Sequence, residues 1–243
     1  MTESHEQKVV GVMGGMGPEA TVECFESIVD QTAAETDQDH IPVIVFNRPQ
    51  VPDRTTAILH DGEDPTPFLT EMATGLQRAG ADFLITPCNT AHFFIDRVEK
   101  EIDIPILNMP EAAIQSIPRG STAGLLATDG TIETGLYDKY AESNEVQLKI
   151  PEAEDQKRVM EVIYGQQGIK AGYSGTDLTQ ALVEVAEKLK EEGVQYIIAG
   201  CTEIRIVLEP SDLRELTLIR PIDVICRRAI ERAGGKLELS EKR

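Results

Sequence analysis

The 243-residue sequence predicts an α/β fold of two similar domains, each a parallel-sheet α/β/α sandwich, related by pseudo-two-fold symmetry with a site between them. Three observations predict it. Short apolar runs alternate with amphipathic segments, the pattern of parallel strands joined by crossover helices. The pattern also repeats. Cys88 ends Gly80-Ala-Asp-Phe-Leu-Ile-Thr-Pro-Cys88 and Cys201 ends Gly193-Val-Gln-Tyr-Ile-Ile-Ala-Gly-Cys201, 113 positions later (201 − 88). The same offset carries Gly11 to Gly124, Glu71 to Glu184, Ala73 to Ala186, Leu76 to Leu189 and Gly80 to Gly193, and a repeat of this kind defines the whole architecture. Finally, both cysteines fall just beyond a strand, where ligands of parallel sheets bind. Two facing copies bring two thiols to one cleft, one on each side of a bound molecule, as needed to remove a proton from one face of a carbon and return it on the other.

The elements follow in order. Residues 8–13 read as a buried strand, and the turn Gly14-Gly15-Met16-Gly17-Pro18 leads into a helix over 19–34, with Pro18 suited to its first turn. Residues 41–47 are a second strand, 48–55 a proline-containing loop, 66–78 a helix, 83–86 a third strand and 91–100 a helix. A short fourth strand over 104–108 precedes a helix over 111–117. The second copy begins at Gly120, with a strand at 123–127, a helix at 134–142 and a strand at 146–150. A long helical stretch over 154–191 is interrupted around 165–174; a strand at 196–199, a helix at 202–208, a strand at 218–220 and a helix at 223–233 complete it. Residues 1–113 with 221–243 are expected to form the first domain and 114–220 the second, with frayed tails at both ends.

Composition narrows the function. A net charge of −19, from 42 Asp and Glu against 23 Lys and Arg, opposes nucleic-acid binding, which needs clustered cations. It also means that an anionic ligand needs local cations or helix N-termini at its site. No apolar run approaches the roughly 20 residues of a membrane span. The N-terminus lacks the basic and apolar regions of a signal peptide, so the four cysteines read as free thiols and a cytoplasmic location is expected.

Cys88 and Cys201 each precede a predicted helix start, where backbone N–H groups favour thiolate. A free thiol titrates near about 8.5, so one lowered by such surroundings is a usable base. Cys24 and Cys226 lie inside amphipathic helices and read as core. Cys88 and His92 form a Cys-x-x-x-His pair, but a structural metal wants four ligands, and His92 reads as a packing or hydrogen-bonding residue beside the site. Gly15-Met-Gly17-Pro-Glu-Ala20 fits a loose dinucleotide pattern without the acidic residue that holds a ribose; the plainer reading is a tight loop near a small ligand, with Met16 shaping the pocket. Arg54 and the glycine-flanked Lys170 are candidate cations for carboxylates. Lys170 could instead hold pyridoxal phosphate, although no phosphate-binding cluster accompanies it.

Six motifs in order, GGMGPEAT at 14–21, PDRT at 52–55, TPCNTAH at 86–92, ATDGT at 127–131, IKAG at 169–172 and AGCTE at 199–203, resemble the aspartate/glutamate racemase family, with the closest likeness to its cofactor-independent aspartate racemases. The resemblance covers nearly the whole chain. It implies two α/β domains with the active site between them, a homodimer, and neither pyridoxal phosphate nor metal. It implies that Cys88 and Cys201 exchange protons with aspartate, that Arg54 and Lys170 hold its carboxylates, and that Asn89, Thr90, Thr128 and Thr202 surround its amino and carboxylate groups. Helix N-termini at Asn89 and Thr202 are expected to assist. Glutamate or a related substrate, a non-catalytic amino-acid-binding protein and a Cys-His amidohydrolase are the alternatives. Asp129, inside ATDGT, is an acidic residue expected near an anionic ligand.

Overall fold

The computed structural model describes residues 7–238; the frayed tails expected at both ends lie outside them. The strands β1 (Val10–Gly14), β2 (Val43–Asn47) and β3 (Phe83–Ile85) form one sheet in the order β2-β1-β3. A second sheet holds β4 (Thr122–Leu126), β5 (Gln147–Lys149), β6 (Tyr196–Ala199) and β7 (Thr217–Ile219) in the order β5-β4-β6-β7. Every strand pairing is parallel. The helices are α1 (Pro18–Gln31), α2 (Arg54–Leu59), α3 (Thr66–Arg78), α4 (His92–Val98) and α5 (Met109–Gln115) in the first half. They continue with α6 (Asp129–Glu133), α7 (Asp138–Ser143), α8 (Ala153–Tyr164), α9 (Thr176–Glu191) and α10 (Pro221–Ala233).

The repeat is visible in the strand register. Gly11 pairs with Leu84 across β1 and β3, and Gly124 pairs with Ile197 across β4 and β6, so the 113-residue offset carries one ladder onto the other. The glycines are there for space. A Cβ on Gly11 would collide with Leu84 and press on Leu76, and one on Gly124 would stand 2.9 Å from Leu189 and 3.0 Å from Ile197, the residues at the same offset. Each sheet thus lets one helix, α3 or α9, approach its central strand closely. Both helices end at a left-handed glycine, Gly80 at φ +100° and Gly193 at φ +91°, a conformation that side chains resist.

β1 is buried along its whole length, as a parallel strand covered on both faces must be. α3 and α4 cover one face of the first sheet; α1, α5 and α10 cover the other. Cys24 of α1 and Cys226 of α10 meet there as buried free thiols, their Sγ atoms 3.6 Å apart. α10 therefore follows the second sheet in sequence but lies against the first. α5 serves both halves: Met109 and Ala112 join the core around β1, while Ala113 and Ile114 join the core around Leu125 and Tyr137.

Several elements differ from the expectation, each for a local reason. Residues 104–108 form no strand; Ile106 makes one bridge to Leu84, because Pro105 has no N–H to extend the ladder and the Asn108 side chain turns to cap α5. The loop over 48–55 becomes helical at Arg54, where the Asp53 carboxylate accepts from the Thr56 N–H. The helix expected over 134–142 begins only at Asp138, as α7; a separate short helix, α6, precedes it, and Gly135 at φ +59° lies in the turn between them. Residues 202–208 form a 3-10 turn over Thr202–Ile206, not an α-helix. Among the described residues no helix is long and apolar enough to cross a membrane.

Gly124→Val tests the close approach. Overpacking of this kind costs about 1–3 kcal/mol, so the urea midpoint should fall, whereas an unchanged midpoint would mean that α9 can retreat freely.

Candidate functional site

β3 and β6 end at the same place in their sheets, and each hands its chain to a cysteine. Thr86 Oγ1 donates to the Met13 carbonyl at 3.0 Å, tying the end of β3 to β1 before Cys88. Gly200 brings the other chain against β4, where a Cβ would stand 2.8 Å from that of Ala127, and Cys201 follows. Both cysteines are buried and line one cavity between the halves.

All nine residues singled out from sequence line that cavity: Met16, Arg54, Cys88, Asn89, Thr90, Thr128, Lys170, Cys201 and Thr202. Thr55, Tyr164, Gly200 and Glu203 line it too, and were not anticipated. The cavity holds about 10 Å³, the lower limit for one water, so an amino acid enters only when its walls part. A groove of about 810 Å³ beside Asp129 and Gln156 is far larger but contains no thiol.

Arg54 stands in the first turn of α2 with its guanidinium drawn inward. Its Nη1 donates to the carbonyls of Val51 at 3.3 Å and Pro52 at 3.0 Å, and its Nη2 to that of Met16 at 3.3 Å. Its buried Nε has no partner. Burial opposes the charge most, yet Cys88, Asp53 and Tyr164 together hold its pKa above the usual arginine value. Asn89 is similar. Its Oδ1 accepts from the Tyr137 hydroxyl at 2.5 Å, a phenol that burial keeps protonated, while its buried Nδ2 is unpartnered. Two buried donors without acceptors, on residues facing one cavity, make an anion-binding wall.

A cluster of hydroxyls closes the seam. Thr90 meets Thr131 at 2.8 Å and Thr128 at 3.3 Å, and Thr55 meets Thr128 at 3.4 Å, so hydroxyls of the first half meet hydroxyls of the second at this point. Tyr164 adds a link outside it, its hydroxyl donating to Asp53 Oδ2 at 3.0 Å. Asp129 is turned away: its Oδ1 accepts from Gln156 Nε2 at 2.7 Å, which removes the anticipated carboxylate from the cavity wall.

Lys170 differs from the expectation of a free cation. It forms a short ion pair with the buried Glu203, whose other oxygen accepts from the Cys201 thiol and from Thr202 Oγ1, both at 3.0 Å. Burial penalises both charges, but each holds the other ionised: Glu203 below the usual carboxylate range and Lys170 above the usual lysine range. Cys201 is also unlike its expectation. Burial first, and then the Glu203 carboxylate, push its thiol well above the ordinary value, so its turn does not deliver a thiolate. The expected helix N-termini are not there to do so, since Thr202 opens a five-residue 3-10 turn and Asn89 precedes the first residue of α4 by a turn. Glu203 could have been found from the repeat, because it occupies the place of Thr90 (203 − 90 = 113) and puts a carboxylate where the first copy has a hydroxyl.

His92 supports the Cys88 turn from below. Its Nδ1 donates to the Cys88 carbonyl at 2.9 Å, and its Nε2 accepts from the Met109 N–H at 3.1 Å, joining the turn to α5. Complete burial pushes its pKa down to about 4. Among the described residues no three His, Cys, Asp or Glu side chains gather as a metal site would require.

Two parallel α/β halves that each contribute a buried cysteine to a shared polar cavity define a class, and comparison with known proteins gives its family. The chain belongs to the Asp/Glu/Hydantoin racemase family, whose model matches residues 13–229, and is an amino-acid racemase of that family. It is 27% identical over 206 residues to the broad-specificity amino-acid racemase RacX of Bacillus subtilis, a match spanning 83% of this chain and 88% of the relative. The solved aspartate racemase of Picrophilus torridus superposes with a TM-score of 0.80 at 28% identity, covering 95% of this chain and 96% of that one. The glutamate racemase of Francisella tularensis, at 19% identity and a TM-score of 0.63 over 93% of this chain and 81% of that one, shares the fold.

His92 makes stability depend on pH. Its folded pKa of about 4 lies below the 6.5 of the free side chain, so between these values the unfolded chain binds the extra proton. Stability is complete above about pH 6.5 and falls by about 3 kcal/mol toward pH 4. Chemical unfolding of His92→Gln should show a flatter slope in that window, and an identical slope would remove the effect.

Proposed function

We propose that the protein interconverts L- and D-aspartate without a cofactor, with Cys88 and Cys201 as its two bases. The observation that carries this reading is the arrival of two buried thiols, from equivalent strand ends of the two halves, at one cavity that also holds unpaired donors. One cysteine as thiolate takes the α-proton, forming S–H and leaving a carbanion. The other delivers its S–H proton to the opposite face and becomes the thiolate. The Arg54 guanidinium and the Asn89 amide supply positive potential in a site sheltered from water, where such groups stabilise developing charge most.

The unpaired donors favour an acidic substrate. Glu203 and the one thiolate of the scheme balance the charges of Arg54 and Lys170, while the buried Arg54 Nε and Asn89 Nδ2 are left to bind a carboxylate. Likeness to the Picrophilus torridus aspartate racemase over nearly the whole chain supports aspartate, and likeness to RacX supports a second reading of wider amino-acid specificity. The homodimer belongs to the same reading, and light scattering that gave the mass of one chain would remove it.

In D2O, the Cα proton signal of L-Asp should disappear in the presence of the protein alone, and chelators should not slow its loss. Cys88→Ser and Cys201→Ser should each lower racemisation by at least about 10²-fold, the usual worth of a positioned acid or base, while Cys24→Ala keeps the activity. Wild-type rates in either serine variant would sink the two-base scheme; faster turnover of L-Glu would change only the substrate.

Arg54→Ala should weaken dicarboxylate binding by about 1.5–3 kcal/mol, the loss of a charge-assisted contact. Calorimetry showing unchanged affinity would take Arg54 out of the anion-binding wall.

A further inference from the structure

Cys88 and Cys201 occupy equivalent places in the repeat but meet different neighbours. Two residues beyond Cys88 stands Thr90, engaged with the hydroxyls of Thr128 and Thr131. Two residues beyond Cys201 stands Glu203, 6% exposed, whose Oε2 accepts from the Cys201 Sγ at 3.0 Å. The hydrogen in that contact belongs to sulfur. The ammonium of Lys170 and the hydroxyl of Thr202 both donate to the same carboxylate, which is how an ionised carboxylate is held, not a protonated one. Cys88 faces the opposite sign of charge, the guanidinium of Arg54.

We infer that Glu203 is a positioning residue that makes the two thiols unequal, holding Cys201 as the protonated partner so that the resting enzyme begins turnover with Cys88 as the base. The inference rests on the reading of these cysteines as paired bases and adds a direction to it. The other groups facing Cys201 do not compete for this role. Tyr137 and Tyr164 are phenols that burial keeps neutral, and Lys170 is already neutralised by Glu203. On the far side of Glu203, Glu23 of α1 is raised by burial, though Arg205 opposes this, and adds no cation to the site.

After one enantiomer has reacted, the proton balance is inverted: Cys88 carries hydrogen and Cys201 is a thiolate beside a carboxylate. That form is the costly one. Because the enantiomers are equal in free energy, kcat/KM is the same for both, and the inequality of the thiols is expressed in kcat and KM separately. The enantiomer that meets Cys88 as base binds the resting form and has the lower KM and kcat.

Alkylation of the intact protein by iodoacetamide across pH, with each cysteine followed by peptide mass spectrometry, tests the inference without substrate. Near neutral pH Cys88 should react at least about tenfold faster than Cys201, the ratio that one pKa unit gives. In Glu203→Gln the pH midpoint for Cys201 should fall by a unit or more, and in Glu203→Asp it should stay near that of the wild type. The ratio of KM values for L- and D-aspartate should move toward one in Glu203→Gln. Equal reactivity of the two thiols in the wild type, or an unmoved Cys201 midpoint in Glu203→Gln, would overturn the inference. If Glu203→Gln does not fold, an unmoved midpoint in Glu203→Thr, which carries the residue of the first copy at that place, does the same. Loss of the aspartate reading would show separately, as a Cα proton that never exchanges.

Discussion

The site depends on one constraint of direction. Strands in each sheet are parallel, so their carboxyl ends lie together, and the turns that follow β1, β3, β4 and β6 supply Met16, Cys88, Thr128 and Cys201 to a shared cavity. Two sheets can present those ends to one another only if something fixes their relative orientation. Helices α5 and α10 do so. α5 gives alternate faces to the cores of both halves, and α10 returns from the second sheet to pack on α1 and α5 beside the first. Apolar burial of this kind is worth about 25 cal/mol per Å², so the seam is held firmly at its base. At the cavity it is joined by threonine hydroxyls, by Tyr137 on Asn89 and by Tyr164 on Asp53, bonds worth about 1 kcal/mol each. The halves are thus strongly joined where the chain crosses and weakly joined where a ligand enters.

Charge within the site follows from placing a carboxylate where none would be expected in so acidic a chain. Glu203 would be expelled or protonated by burial alone, and Lys170 keeps it ionised. A buried pair of this type is weak evidence for stability and better evidence for a specific role, since well-packed apolar residues would do as well for the fold. The same pair removes one of the two cations that an anionic ligand was expected to find. Arg54 is left as the cation whose guanidinium is anchored only by carbonyl oxygens and retains a donor to offer.

Much of this was legible in the sequence. The offset of 113 residues predicted two similar sheets because Gly11 and Gly124 must both admit a close helix, and the strand register repeats accordingly. The helix over Thr66–Arg78 and the strand over Tyr196–Ala199 were read at their observed bounds, since each is closed by a turn glycine or a strong apolar run. The failures have physical causes too. Residues 104–108 have the apolar content of a strand, but proline withholds the hydrogen bond that would pair it. The start of α2 depends on a side-chain cap by Asp53, which apolar patterning does not reveal. Within the site, all nine residues came together, yet Glu203 went unread because the motifs were matched for their likenesses, and its exchange for Thr90 is a difference between the copies. Its contact with Cys201 is a local bond between residues two apart, made at the start of the 3-10 turn.

The repeated cysteine-bearing turns have a geometric consequence. The copies of a repeated unit are related by rotation, whereas L and D forms of an amino acid are related by reflection. A rotation can put a thiol on each side of a carbon, but it cannot make the second side a mirror image of the first, because both copies are built from L-residues. A strictly repeated protein would therefore still treat the two hands differently. Exchange of Thr90 for Glu203 between the copies works on an inequality that chirality had already imposed, and makes it a matter of one carboxylate.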